Sequence, residues 1–487
     1  MEELISRIER LVADAEDDIL SFFREIVAIP SMDGQIGEVG KRIGEEMARL
    51  GFDVVFTDRY GSIVGRIGDG EKILLYDSHI DTVGIGDPAQ WEWDPFEGKV
   101  VDGKLYARGA LDEKGSTPGM IYGLAMARDL GLLDGYTAYY LGNIEEWCDG
   151  IGCQAFVEWN DVRPDFVVIG EPTRMRVYRG HKGRVELEVV ARGKSAHAAS
   201  NQFGDNAIYK MLPVIEGIQA MNDQLPSHPF LGQGRITVTR IQSVSPSDNA
   251  VPDECRIFVD RRITFGETKE SVFESIRGLI PADKKGDFEL VDLVYSEPSY
   301  TGAVFHYEKF FPSWALDEDH PFVVAGQETV RALWGEERET GKWDFSTNGN
   351  YWAGKEGIPS IGFGPGDEIY AHSGDEHVAL ADVVEANLAA LFVDDDPDLG
   401  TELGDHAGAL ARGERRRVDD IEPDFDAGGA AVGVLAAGTA RRAERHLQLA
   451  PRHPNRARHD QVVVHHLSLP RWASWLISHW GFPPDTG

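Results

Sequence analysis

The stretch VELEVVA, Val185 to Ala191, marks the point where the order of elements changes. Its apolar and acidic residues read as a strand. A helical pattern follows over Asn206 to Met221, then strands over Arg235 to Ile241 and Cys255 to Ile263, a helix over Lys269 to Leu279 and a strand over Phe288 to Tyr295. This is a β-α-β-β-α-β succession. Upstream, apolar residues at helical spacing (Ile5, Ile8, Val12, Ile19, Phe22, Phe23, Ile26) predict a helix closed by Pro30. A second helix is expected around Gly37 to Leu50. Strands at Asp53 to Thr57, Ile63 to Ile67, Lys72 to Tyr76, Thr137 to Leu141 and Phe166 to Ile169, with a helix over Thr117 to Leu130, give an α/β layered domain. Mixed patterns resume from Val323 to Leu391. Residues 183–297 are therefore expected to be a domain inserted into a catalytic domain made of 1–182 and 298–398.

A chain of 487 residues is too long for one core. Met1 to Arg10 lack the apolar run of an export signal, and no stretch approaches the ~20 apolar residues that span a bilayer. Only Cys148, Cys153 and Cys255 occur, too few for a disulfide framework, so a reducing cytoplasm is expected. The net charge of −34 argues against nucleic acid and anionic membranes as partners, because phosphate binding needs clustered Lys and Arg. Such acidity, with 34 Arg to 14 Lys, also suits a protein solvated in high salt. Residues 399–487 differ from the rest: 401–487 hold no Lys, 11 Arg, 11 acidic residues and 7 of the 15 His, without periodicity. That extension is expected to be disordered or aberrant.

Five short motifs carry chemistry. In Tyr76-Asp77-Ser78-His79-Ile80-Asp81, strand spacing puts His79 and Asp81 on one face, so Asp81 can orient an imidazole that ligates a metal. Asp112 sits in Arg108-Gly-Ala-Leu-Asp-Glu-Lys-Gly115, where a helix N-cap is the plain alternative. Glu145 and Glu146 end the strand over 137–141, and a pleat would turn one to a metal and the other to a proton-transfer role. Glu171 follows the strand Phe166 to Ile169, and His372 follows the strand-like Ser360 to Phe363. Strand ends are where ligands gather in α/β sheets. Two His and three carboxylates, if they converge, suffice for two divalent cations.

The five motifs in this order resemble the M20 family of metallopeptidases and deacylases, over about residues 5–395. The resemblance implies an α/β zinc-hydrolase catalytic domain with an inserted ferredoxin-like (βαββαβ) dimerisation domain. It implies His79 and Glu171 on one metal, Glu146 and His372 on the other, and Asp112 between them. The metals would be Zn2+, with Co2+ or Mn2+ as alternatives. Asp81 would orient His79, Glu145 would be the general base, and His197 in Gly193-Lys-Ser-Ala-His-Ala198 would reach across a homodimer formed through 183–297. Asn249 and Arg262, the latter beside Arg261, match residues that bind a substrate carboxylate. Trp343 to Gly349 and Asp260-Arg261-Arg262 with Gly266-Glu267-Thr268 are similar to a selenium-metabolism-linked subgroup. Asp112-Glu113 and Thr347-Asn348 depart from the Asp-Asp and Thr-Asp of many members. The expected reaction is hydrolysis of an amide in a small N-acyl amino acid. The competing readings are a dipeptidase or carboxypeptidase on the same fold, or a non-catalytic ligand-binding homologue.

Overall fold

The computed structural model describes residues 2–32 and 34–389, and the extension expected over 399–487 lies outside them. Lys72–His79 is buried through its last six residues, as a strand covered on both faces must be. It pairs in parallel with Tyr136–Asn143 and with Phe166–Ile169, setting His79 opposite Asn143 and Asp77 opposite Ile169. Ser360–Gly362 joins in parallel beside Phe166–Ile169. Antiparallel pairing adds Val54–Thr57 and Ile63–Ile67 beyond Tyr136–Asn143, and Tyr178–His181 and Trp314–Ala315 beyond Ser360–Gly362; Gly341–Trp343, parallel to Tyr178–His181, brings the sheet to nine strands. Alternation sends Leu74 and Tyr76 to one face and Leu75 to the other. The first face packs on Phe22, Ile26, Ile121, Leu124 and Val383; the second packs on Cys153, Phe156 and Trp352.

A second sheet holds Arg235–Val244, Glu254–Ile263, Gly183–Arg192 and Phe288–Asp292 in that spatial order, all antiparallel. Glu254–Ile263 alternates between half-buried and buried at every position. Its inner residues Ile257 and Val259 join Leu187 and Val189 beneath Met211, Val214, Val272 and Ile276 of the helices Ala207–Met221 and Lys269–Arg277. The outer face carries ion pairs instead: Glu188 meets Arg240 (2.8 Å) and Arg256 (2.5 Å), and Glu186 meets Lys309 (2.8 Å). One face therefore provides the hydrophobic driving force and the other remains compatible with water.

The strands differ in extent from the sequence expectation. Arg235–Val244 runs three residues further, and the expected strand over 288–295 breaks into Phe288–Asp292 and Val294–Tyr295, the latter paired with Tyr307–Glu308. The helix Ile151–Asn160 was not expected, because its buried residues (Ile151, Cys153, Ala155, Phe156) show no clean polar stripe. Tyr178–His181 has no strand-like composition and exists because pairing partners flank it. Among the described residues no helix is long and apolar enough to cross a membrane, and the three cysteines are buried free thiols.

Candidate metal centre

The three neighbouring parallel strands Tyr136–Asn143, Lys72–His79 and Phe166–Ile169 end side by side, and each passes a potential metal donor to the same place. His79 is the last residue of its strand. Tyr136–Asn143 stops before the Glu pair, so a pleat does not separate Glu145 from Glu146 as expected. A left-handed residue does: Glu145 has φ 63°, and Glu146 opens a short 3-10 turn. Glu171 follows Ile169 by two residues, and His372, also left-handed (φ 60°), comes from the segment beyond Ser360–Gly362. Non-glycine residues in this conformation cost about 1–3 kcal/mol each and cluster at functional sites.

Asp112 is not a helix cap; the helix Ser116–Asp129 is preceded by Gly115. Its two carboxylate oxygens face different imidazoles, Oδ1 lying 2.8 Å from His79 Nε2 and Oδ2 3.0 Å from His372 Nε2. His79 Nε2 is also 3.9 Å from Glu171 Oε1 and 3.9 Å from Glu113 Oε2. His79, Asp81, Asp112, Glu146 and His372 line a cavity of about 320 Å3, together with Met32, Val83 and Trp147.

His79 Nδ1 donates to the Asp81 carbonyl oxygen at 2.9 Å, while the Asp81 carboxylate stands 3.8 Å off and accepts from the Glu146 N–H at 3.1 Å. Asp81 thus orients the ring through its backbone, a correction to the side-chain role expected from i, i+2 spacing. The Nδ1–H tautomer leaves the Nε2 lone pair aimed at an Asp112 oxygen. Two acceptors at hydrogen-bond distance need a proton or a cation between them.

The electrostatics agree. Burial by itself would push the His79 imidazole down, yet Glu113 and Asp112 bring it well above its ordinary value. Burial drives Glu146 up, with Asp149 adding to it, and drives Glu171 up, with Glu113 and Asp112 adding. Burial would also raise Asp112, but His372 and His79 hold it below the usual carboxylate range. Glu146 and Glu171 therefore hold protons more tightly than ordinary carboxylates, and a divalent cation would replace those protons. The donor set of imidazoles and carboxylates fits such an ion. Glu113 belongs to the tight group of possible ligands with His79 and Glu171 and also accepts the His79 backbone N–H at 2.9 Å. Sequence reasoning gave it no role.

Glu145 is buried and is not among the residues that line the cavity. Its Oε2 accepts from Trp147 Nε1 (2.9 Å) and from the Tyr295 hydroxyl (3.3 Å). Asn348 Oδ1 accepts the Gly150 N–H at 2.7 Å, which fixes the far end of the loop that carries Glu145 and Glu146. Glu376, quoted within a motif but given no role, is fully buried; it takes the N–H groups of Leu111 and Asp112 (3.2 Å each) and pairs with Arg108.

His197 and Asn249 lie together on the second sheet's loops. The Ala198 N–H bonds the Asn249 carbonyl at 2.7 Å, and His197 Nδ1 accepts from the Ala199 N–H at 3.0 Å. Neither lines the cavity. Arg262 grips Asp260 with Nε (2.8 Å) and Nη2 (3.0 Å), whereas Arg261 is buried against Glu267. Of the two arginines, only Arg262 keeps part of its side chain in solvent.

The sequence pattern of peptidase family M20/M25/M40 matches residues 75–391. The chain is 43% identical over 364 residues to the protein of Escherichia coli (strain K12) named "Uncharacterized protein YgeY", covering 74% of this chain and 90% of that one. It is 29% identical to acetylornithine deacetylase of Vibrio vulnificus (strain CMCP6), covering 74% and 92%. Among solved structures, the M20 family metallo-carboxypeptidase Sso-CP2 of Sulfolobus solfataricus has the same fold at a TM-score of 0.61 and 17% identity, over 77% of this chain and 98% of that one. With its parallel-strand donors and the length of these matches, the chain belongs to peptidase family M20/M25/M40, metallohydrolases of amide or peptide bonds.

Proposed function

We propose that this protein is a dimeric, two-metal deacylase that hydrolyses the amide bond of a small N-acyl amino acid or related carboxylate. The observation that carries this reading is Asp112, with one oxygen turned to His79 and the other to His372. That is the disposition of a carboxylate shared between two cation positions, His79 and Glu171 serving one and Glu146 and His372 the other. Two divalent cations, zinc or alternatively cobalt or manganese, would polarise the amide carbonyl and acidify a water when bound there.

Glu145 is the base in this scheme. Released from Trp147 and Tyr295 by rotation about its side-chain bonds, its carboxylate takes a proton from the attacking water and returns it to the leaving nitrogen. Arg262 and Asn249 bind the substrate's carboxylate, for which a planar guanidinium is suited once Asp260 yields it. The segment 183–297 is the dimerising domain: Arg235–Val244 is an edge strand with Ile241 and Val244 more than half exposed, and edges of this kind pair. Dimerisation brings His197 of one subunit to the other's cavity, where it steadies the developing oxyanion. The buried free thiols suit a reducing cytoplasm.

The 29% identity to acetylornithine deacetylase supports amide hydrolysis of an acylated amino acid. The test is hydrolysis of N-acetyl, N-succinyl, N-formyl and N-carbamoyl amino acids and dipeptides, before and after chelation and with metal restored. Metal-restored cleavage of one acyl class is the expected result. Cleavage confined to dipeptides would replace the deacylase with a dipeptidase.

A further inference from the structure

Glu145 and Glu146 lie on a stretch with little rigidity of its own. Glu145 is left-handed (φ 63°), and Glu146–Cys148 is one short 3-10 turn, whose hydrogen bonds are poorer in geometry than those of an α-helix. Side chains from other segments hold it in place. Asp81 takes the Glu146 N–H at 3.1 Å, Asn348 takes the Gly150 N–H at 2.7 Å, and Ser346 donates to Asp149. A further hold comes from the second sheet. Arg184 Nη2 donates to the Trp147 carbonyl at 3.0 Å and pairs with Asp149 Oδ2 at 3.2 Å.

Arg184 is the second residue of the strand Gly183–Arg192, where the chain enters that sheet. Its side chain is only 13% exposed; Nε lies 3.5 Å from Glu186 Oε1, and the guanidinium sits over the Phe311 ring at 4.4 Å. Strand pairing sets Arg262 directly across from it. The arginine assigned above to the substrate's carboxylate and the loop that carries Glu146 therefore share one anchor. Charge also permits a metal ion close by. An uncompensated guanidinium would repel a divalent cation on Glu146, but buried Asp149 and Glu186 offset it. What Arg184 brings to the metal centre is the placement of the loop.

We propose that Arg184, through the Trp147 carbonyl and Asp149, is a positioning residue for Glu146, so that the second sheet sets one of the two cation positions. The proposal rests on the two-metal reading above, in which Glu146 and His372 serve one cation and His79 and Glu171 the other. Arg184 acts on the first.

The experiment is calorimetric titration of the metal-free full chain with Zn2+ alone, comparing the unaltered protein with Arg184→Lys and Glu186→Gln. Lysine keeps the charge that buried Asp149 requires but lacks the planar fork of arginine. Arg184→Lys should weaken one of two binding events by about 10–100-fold, as loss of a residue that orients a ligand does, and leave the other within about twofold. Glu186→Gln removes the other carboxylate beside the guanidinium without touching the loop, and both events should persist. Thermal unfolding of the metal-free proteins separates a positioning role from a structural one. Two unchanged events in Arg184→Lys, an equal loss of both together with a lowered unfolding midpoint, or the same selective loss in Glu186→Gln would each overturn the proposal while leaving the two-metal reading intact. Fewer than two Zn2+ bound by the unaltered protein would sink both.

Discussion

Glu376 joins two segments distant in sequence: it lies four residues past His372, and its carboxylate holds the N–H of Asp112. A carboxylate that fixes a ligand from behind commonly contributes about 10–100-fold in metal affinity. Glu376→Gln keeps one acceptor oxygen but turns an amide nitrogen toward Arg108, so metal affinity should fall within that range in a calorimetric titration. An unchanged isotherm would refute the positioning role. Glu145 is the opposite case. Glu145→Gln should keep its metal content and lose about 100-fold or more in kcat, since proton transfer disappears and ligation does not; loss of bound metal in elemental analysis would contradict that assignment. A third residue acts on stability. Asp58 is buried at a turn, accepting from the Gly61 and Ser62 N–H groups (2.8 and 2.9 Å), and burial raises its pKa to about 6. Because the folded value is the higher one, its stabilising effect is complete below the ordinary carboxylate range and is lost as pH rises through about 6. Asp58→Asn should therefore gain up to ~3 kcal/mol above that pH and nothing near pH 4. Unfolding midpoints of both proteins across pH 4–8 provide the comparison, and parallel curves would exclude the effect.

At the scale of elements, the donors converge because neighbouring strands run parallel and in register. His79 stands opposite Asn143, and Ile169 lies beside Gly362, so the segments that follow each strand emerge at one edge of the sheet. The second sheet is built differently. Its alternating strands bury one face under two helices and leave an edge in Arg235–Val244. If that edge joins two copies and His197 acts across the joint, an inactive His197→Ala protein mixed with an inactive Glu145→Gln protein should recover activity. A random mixture forms half mixed dimers, and each can hold one intact site, so recovery of about a quarter of normal turnover is expected. No recovery after subunit exchange would count against a shared site.

For the whole molecule, 82 acidic residues oppose 48 basic ones, and the excess lies in the first 400 residues. Self-repulsion of that size weakens the compact state, and salt screens it over a Debye length that falls from about 10 Å at 0.1 M to about 3 Å at 1 M. Raising salt over this interval should lift the thermal midpoint by about 2–4 °C or more. A flat or falling midpoint would show that paired carboxylates, such as Glu188 between Arg240 and Arg256, already neutralise the repulsion.

The sequence by itself determined the α/β order and the β-α-β-β-α-β succession, and it singled out the candidate donor residues. Periodicity and strand-end placement are local properties that a single chain displays directly. The tertiary structure decided which strands are neighbours, and so that His79, Asp112, Glu146, Glu171 and His372 meet at all. It also decided the left-handed turn that parts Glu145 from Glu146, the backbone route by which Asp81 orients His79, the entry of Glu113 among the candidate donors and the place of Glu376 behind Asp112. None of these was legible beforehand, because each depends on a contact between distant segments or on a backbone angle that residue type alone does not set.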